Sequence, residues 1–242
     1  MERMLCTTGF TAKTAEELFG LLRNAAVKQR ERQKFQSIRP IPASAHSWNY
    51  FPHQRGDILE FSLTPFSGAS PHVEDRVSMR DFRKTAAVAE PEVASYLGKA
   101  ECSDSLRGLF ECAIHENRQG SGVYAYPTEA RRSICGCHTK NLRLELYGNE
   151  LRATLVLFSG EVARDLPVVD RDWLDFTDAA ENRGANRAAR LERFLNSQFQ
   201  YKIMSCPHYF VRIGLTRPYR EVCWLMLDTL FPIPKADWLE EF

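Results

Sequence analysis

Four side chains in the first third of the chain have the types and spacing that acid–base or metal chemistry needs. His72, Glu74 and Asp75 lie close together, and His53 lies upstream of them. A histidine oriented by a carboxylate can act as a general base, and a set of histidines and carboxylates can hold a divalent metal. His72, Glu74 and Asp75 are therefore the candidate catalytic residues.

The same three residues also have a structural interpretation, in which they perform no chemistry. Glu74 or Asp75 would pair with Arg76 or Arg80, and His72 would cap the preceding loop. Spacing alone does not separate the two interpretations, so both stay open here.

Motifs of several common enzyme classes are missing from the sequence. The chain has no P-loop, no G-x-G-x-x-G, no G-x-S-x-G and no H-E-x-x-H. Nucleotide hydrolysis, dinucleotide redox chemistry and serine hydrolysis are disfavoured by these absences. The sequence leans towards a protein without its own catalytic centre and predicts no cofactor.

The seven cysteines are odd in number and spread along the chain, which is not typical of a disulfide framework. A zinc site could in principle combine two short motifs, Cys135-x-Cys137-His138 and Cys112-x2-His115, with Cys102. On a strand, however, Cys135 and Cys137 would face one way and His138 the other, which makes a poor zinc knuckle. Buried thiols are favoured, and no metal is predicted.

Aromatic residues in two places have a pattern that suits nucleic acid, and in the first place a basic residue accompanies them. Trp48, Tyr50 and Arg55 fall in a polar segment, and Tyr124 and Tyr126 would share one face of a strand. Exposed aromatic rings stack on unpaired bases, while arginine neutralises the phosphates. The alternative is that these rings plug the core of the protein.

Basic residues are clustered although the formal net charge is only +1. Screening limits the reach of distant acids to about 8–10 Å, so a local basic stripe can bind phosphates on a neutral chain. Such clusters can equally be solvated surfaces. The candidate nucleic-acid contacts are Arg39, Trp48, Tyr50, Arg55, Arg76, Arg80, Arg83, Lys84, Tyr124, Tyr126, Arg131 and Arg132.

Alternating apolar residues predict a β-meander over residues 139–170. Leu142, Leu144 and Leu146 define one strand, and residues 151–157 continue the alternation after a Gly148-Asn149 turn. A meander of this size is unstable alone, so residues 209–215 and 222–231 are expected to close it into a small barrel. Helices are predicted for residues 14–26, 92–97, 106–117, 170–180 and 185–199, and residues 80–119 are expected to be mainly helical.

Several segments resemble one family in order and spacing. MLCTTGF is followed by QSIRPIP, then by DILEFSLTPF and SPHVEDRVSM; SICGCHTKNLRLEL and HYFVRIGLTRPYREVCWLMLDTLF follow in the second half. This pattern is similar to the dual OB domain family, whose members are associated with nucleic-acid modification or with defence against foreign DNA. Three departures stand out: residues 13–33 replace a segment of small residues, no tryptophan follows Glu74-Asp75, and Trp224-Leu225-Met226 replaces the expected Tyr-Lys-Leu.

The resemblance implies a mainly β fold with two OB-like small barrels and accessory helices. The first barrel, with an inserted helix, is expected at residues 1–100, a helical linker at 101–130, and the second barrel at 131–242. An OB fold is a five-stranded, partly open barrel that binds oligonucleotides on its sheet and adjoining loops. The implied function is nucleic-acid binding, as a non-catalytic subunit of a bacterial defence or nucleic-acid-modification complex.

The distribution of apolar residues indicates where in the cell the protein is expected to act. No apolar run is long enough for a membrane helix, and the start has no apolar secretory core. The expectation is a cytoplasmic protein that binds DNA or RNA and other protein subunits, without contacting a membrane.

Two other functions remain open from the sequence. One is an enzyme that acts on nucleic acid through His72, Glu74 and Asp75. The other is a protein–protein adaptor, because Trp238 and Phe242 would fall on one face of a helical turn.

Overall fold

The structure, a computed structural model, describes residues 2–10, 18–23, 35–42, 56–65, 70–78, 83–89, 93, 102–118, 121–147, 150–170 and 208–233. Strands dominate these residues, which confirms the mainly β prediction. The strands are β1 (Glu2–Phe10), β2 (Leu18–Arg23), β3 (Phe35–Pro42), β4 (Asp57–Phe61), β5 (Leu63–Pro65), β6 (Asp75–Ser78), β7 (Arg83–Ala87), β8 (His115–Glu116), β9 (Val123–Ala125), β10 (Ile134–Tyr147), β11 (Glu150–Leu157), β12 (Val162–Pro167), β13 (His208–Leu215) and β14 (Cys223–Ile233), and a short helix is α1 (Leu106–Phe110).

The first sheet has the strand order β5-β6-β3-β2-β1-β4-β7. All its pairs are antiparallel except β3 with β6. Strands β4 and β5 lie near opposite ends of this order, yet only Ser62 separates them along the chain. The sheet must therefore curl until its two ends approach, although among the described strands no ladder pairs one edge with the other.

The second sheet has the order β12-β11-β10-β13-β14-β9-β8. Strand β10 is long enough to serve two partners, since its first half pairs with β13 and its second half with β11. Beyond β12, Val168 forms a parallel bridge with Leu227 of β14, and the Val169 amide donates to the Leu227 carbonyl at 3.0 Å. The meander and the late strand pair thus lie in one curled sheet, as predicted, but a single bridge joins its far side rather than a complete ladder.

The alternation of buried and partly exposed residues along β11 shows which face of this sheet packs in the core. Leu151, Ala153, Leu155 and Leu157 are buried, and the residues between them are partly exposed. They pack in one apolar cluster with the inward side chains of β13 and β14. Burying a leucine contributes about 1.5–3 kcal/mol, so this alternation fixes the register of the hairpin.

Two helical predictions are wrong where the structure describes them, and a third, the helix predicted for residues 106–117, is correct only in its first turns. Residues 18–23 form β2, because their amides and carbonyls pair with β1 and β3 on either side. Residues 83–87 form β7, paired with β4. The helix predicted for 106–117 ends at Phe110, where Glu111 takes a left-handed conformation with φ 58°, and its N-cap is Ser105.

The segment predicted as a helical linker, residues 101–130, carries strands as well as α1. Strand β9 pairs with β14, and β8 pairs with β9, so both extend the second sheet. The helices predicted for residues 170–180 and 185–199 lie outside the described residues except for Asp170, as do the adaptor residues Trp238 and Phe242. Within the described residues, no helix has the length and apolar character to cross a bilayer.

Candidate nucleic-acid interface

The predicted catalytic residues lie in the interior, on residues 70–75 and the start of β6. His72, Glu74 and Asp75 are 3%, 4% and 0% exposed, and Arg39 of β3 beside them is 2% exposed. Strands β3 and β6 run parallel with Arg39 opposite Asp75, which brings these four side chains together. We call them the buried charge cluster.

Asp75 accepts from two arginines on different sheets. Arg39 Nε donates to Oδ1 at 2.6 Å, and Arg217 Nη2, from the turn between β13 and β14, donates to Oδ2 at 2.8 Å. The structural interpretation of the cluster is thereby supported, with Arg39 and Arg217 as partners of Asp75. The prediction that Arg39 contacts phosphate is wrong, because its guanidinium is buried against Asp75 and His72.

His72 is poorly suited to act as a base. Arg39 Nη2 lies 2.8 Å from His72 Nδ1, and since arginine can only donate, Nδ1 accepts and the ring proton lies on Nε2. Burial, with the charges of Arg39 and Arg217, lowers the pKa of His72 to about 3 against a smaller opposing effect of Asp75. The imidazole is therefore neutral at physiological pH, and its lone pair is occupied.

Glu74 fastens the first sheet to the start of β10. Its carboxylate accepts from the Ser133 amide at 2.9 Å, the Ser133 hydroxyl at 2.8 Å and the Ile134 amide at 3.2 Å. Burial raises the pKa of Glu74, and these donors act in the opposite direction. A carboxylate with both oxygens engaged in this way holds two segments together and has no atom facing a substrate.

A group of four aromatic rings lies on the outer side of strands β8, β9 and β14. His115 and Trp224 are the cross-strand neighbours of Tyr124, and Tyr126 follows β9. Tyr124 lies with its ring centroid 5.4 Å from His115, 5.7 Å from Tyr126 and 5.5 Å from Trp224. We call these residues the aromatic row.

The aromatic row faces solvent because β9 alternates. Val123 and Ala125 are buried in the core, so Tyr124 points the opposite way, and Tyr126 is 37% exposed. Tyr124 and Tyr126 do share one face, as predicted, although β8 rather than β9 is the edge strand. A hydrogen bond with Tyr124 raises the pKa of Tyr126, and the charges of Glu129 and Glu221 act in the same direction.

Residues 216–222 form a tight hairpin beside the aromatic row. Tyr219 and Val222 exchange backbone hydrogen bonds of 2.8 and 3.3 Å, which leaves Arg220 and Glu221 as a two-residue turn. Both turn residues have positive φ, 50° and 67°. Tyr219 is 60% exposed, and the Arg220 guanidinium carbon lies 5.2 Å from the centre of its ring.

Four residues of this surface were not predicted from the sequence: His115, Trp224, Tyr219 and Arg220. The hairpin could have been identified from the sequence, because a short turn between two strands lies on the surface and here carries an aromatic residue followed by arginine. No local signal identified His115 or Trp224, whose role depends on pairing with Tyr124.

The other predicted nucleic-acid contacts are scattered. Arg83 and Lys84 are exposed on β7 but pair with Glu60 and Asp57, and Arg132 pairs with Glu111. Arg131 is exposed. Arg76 lies in β6, and Trp48, Tyr50, Arg55, Arg80 and His53 lie outside the described residues.

The cysteines form no metal site in the part of the chain that the structure describes. Cys135 and Cys137 are both buried in the core of the second sheet, facing the same way as predicted. Burial raises the pKa of the Cys137 thiol well above its usual range.

Comparison of this chain with protein-family models, with curated proteins and with solved structures finds no match.

Proposed function

We propose that the protein binds nucleic acid and has no hydrolytic centre of its own, acting as a non-catalytic subunit of a larger complex. The resemblance to the dual OB domain family suggests bacterial defence or nucleic-acid modification as the setting. The observation that carries the proposal is the aromatic row continued by the hairpin of residues 216–222, with the partly exposed ring of Tyr126 and the exposed Tyr219 and Arg220.

The chemistry of this surface suits bases and phosphates together. Each base stacked on an aromatic ring contributes about 1–3 kcal/mol, and arginine supplies both charge and a plane that stacks. Strands β13 and β14 are the fourth and fifth of the five strands from β10 to β14, and in OB folds the loop between strands four and five contacts oligonucleotides. In the proposed OB-like barrel of β10 to β14, the hairpin of residues 216–222 is this loop.

The local acids constrain how a strand would lie. The charges of Glu129 and Glu221 act on Tyr126, so phosphates are disfavoured at that ring. Arg220 lies next to Glu221 in the hairpin and partly offsets its charge. The proposed arrangement therefore places bases on the aromatic row and the backbone towards Arg220.

The buried charge cluster supports the absence of catalysis. His72 is neutral with its Nδ1 lone pair engaged, and Asp75 and Glu74 have their oxygens in internal hydrogen bonds. To take a proton from a substrate, Glu74 or Asp75 would first have to break a contact between the two sheets. His72 would have to break its contact with Arg39 within the first sheet.

Binding of a labelled single-stranded oligonucleotide, followed by fluorescence anisotropy, tests the proposal. Tyr126→Ala and Tyr219→Ala should each weaken binding by about 1–3 kcal/mol, the value of one stacked base. Phe158→Ala is the matched control, since Phe158 is 52% exposed on the turn between β11 and β12. No binding by the unaltered protein, or equal losses in all three variants, would overturn the proposal.

A further inference from the structure

We infer that Asp75 is a positioning residue for the nucleic-acid surface: through Arg217 it fixes the hairpin of residues 216–222 from the first sheet. The inference rests on the proposed function, since the hairpin is part of the surface proposed to bind nucleic acid. Its geometry, however, can be tested without any ligand.

Asp75 is built to hold Arg217 in one place. Arg39 occupies Oδ1 and is itself buried, which orients the carboxylate and leaves Oδ2 towards the second sheet. Arg217 reaches Oδ2 at 2.8 Å from a side chain that is 50% exposed. A charge-assisted hydrogen bond to a rigid, buried acceptor orients a surface arginine far better than solvent does.

A second contact fixes the base of the same hairpin. Glu74, next to Asp75, accepts from the Ser133 amide and hydroxyl, and the Ser133 carbonyl accepts from the amide of Leu215 at 2.8 Å. Leu215 is the last residue of β13, immediately before the hairpin. Two neighbouring acids of the first sheet thus hold both the stem of the hairpin and its Arg217.

The hairpin needs such support. Arg220 and Glu221 are consecutive residues without glycine's freedom at φ 50° and 67°, a conformation that side chains disfavour. A fixed stem keeps Tyr219 and Arg220 in one orientation before a ligand arrives, which lowers the ordering cost of binding. Arg217 itself is paired with Asp75, so it should not add a phosphate contact.

The experiment compares Arg217→Gln with Arg143→Gln in the full chain. Arg143 is a suitable control because it is 68% exposed and pairs with Glu145 on β10 of the same sheet. We expect Arg217→Gln to weaken single-strand binding on the order of tenfold, the value of a charge-assisted hydrogen bond. The slope of log affinity against log salt should not change, because Arg217 is expected to make no phosphate contact. Each phosphate contact to a single strand would contribute about 0.7 to that slope.

A ligand-free measurement keeps the two proposals separate. Trp224 follows the hairpin by two residues, and its indole N–H signal can be assigned by nuclear magnetic resonance with a Trp224→Phe variant. Arg217→Gln should shift or broaden this signal, Arg217→Lys should restore it in part, and Arg143→Gln should leave it unchanged.

The outcomes are distinct. An unaltered protein that binds no oligonucleotide overturns the proposed function, and the Trp224 signal still decides whether the hairpin is fixed from the first sheet. An unchanged Trp224 signal in Arg217→Gln overturns the inference. A salt slope that falls by about 0.7 also overturns it, because Arg217 would then contact phosphate directly.

Discussion

The buried charge cluster and the aromatic row differ in what their side chains can offer a ligand. In the cluster, Asp75 and Glu74 already accept hydrogen bonds from three other segments, and His72 accepts from Arg39. In the aromatic row, His115 stacks on Tyr124, the other rings contact one another edge to face, and part of their surface is left to solvent. Residue types typical of catalysis therefore hold the two sheets together here, whereas aromatic residues of a kind often found in a core lie on the surface.

Removing the carboxylate of Asp75 should have the largest effect on stability. Asp75→Ala leaves Arg39 buried with its charge partner gone, which costs about 3–5 kcal/mol. Urea denaturation of the variant should show this loss in the free energy of unfolding.

Glu150→Ala is the control for Asp75→Ala, because Glu150 is 46% exposed and pairs with Arg152 on the surface. Exposed pairs of this kind contribute about 0–1 kcal/mol. Equal losses in the two variants would contradict the view that the cluster holds the fold together.

Replacing the Glu74 carboxylate by an amide should have an intermediate effect. Glu74→Gln offers one acceptor where Ser133 and Ile134 supply three donors, and a buried donor without an acceptor costs about 1–3 kcal/mol. The loss should fall at the lower end, because the neutral amide avoids the burial of charge that raises the pKa of Glu74. Thermal unfolding of Glu74→Gln, measured together with the control variant Glu145→Gln on β10, checks this loss of stability. A Glu74→Gln variant that is more stable than the unaltered protein would contradict it.

The pH dependence of stability should report on His72. Its pKa in the folded protein is lowered to about 3, so the unfolded chain binds a proton that the folded chain does not once the pH falls below 6.5. Stability from this group is full above pH 6.5 and is lost as the pH falls towards 3, at a slope of about 1.4 kcal/mol per pH unit.

His72→Asn isolates this effect, because its amide oxygen can still accept from Arg39 but does not titrate. Denaturation curves between pH 7 and about pH 5 should show a shallower loss of stability for His72→Asn than for the unaltered protein. Parallel pH profiles would mean that His72 titrates normally and is open to solvent.

Local patterns were sufficient for much of the second sheet. The alternation of leucines around residues 142–157 predicted β10 and β11 and their buried face, since burial of one face allows one register. The late pair, β13 and β14, was also predicted, together with its position in the same sheet. Tyr124 and Tyr126 were assigned to one face for the same reason.

The predictions that were wrong concern residues whose partners are distant in the chain. Leu18, Leu21 and Leu22 fit helical spacing, and only the ladders to β1 and β3 make that segment a strand. The partners predicted for Asp75 were near it in sequence, whereas Arg39 and Arg217 are 36 and 142 residues away. No periodicity encodes such pairs, so the buried charge cluster could be suspected from sequence but not assigned a role.

The smallest expected change in the unfolding free energy concerns the hairpin beside the aromatic row. It is a gain in stability, whereas the changes in the buried charge cluster are losses. Glu221 has φ 67°, and a left-handed conformation costs a non-glycine residue about 1–2 kcal/mol. Glycine relieves this strain but gains freedom in the unfolded chain, worth about 0.5–1 kcal/mol. Glu221→Gly should therefore raise the unfolding free energy by about 0.5–1 kcal/mol, whereas Glu150→Gly in β11 should lower it.

The same change should tighten oligonucleotide binding slightly, because it removes a negative charge that acts on Tyr126 while Arg220 and Tyr219 remain. Calorimetric melting and anisotropy on one preparation measure both effects. A destabilised Glu221→Gly variant would show that the Glu221 side chain makes a contact worth more than the strain. The hairpin would then resemble the buried charge cluster, with its polar groups engaged in holding the fold rather than available to a ligand.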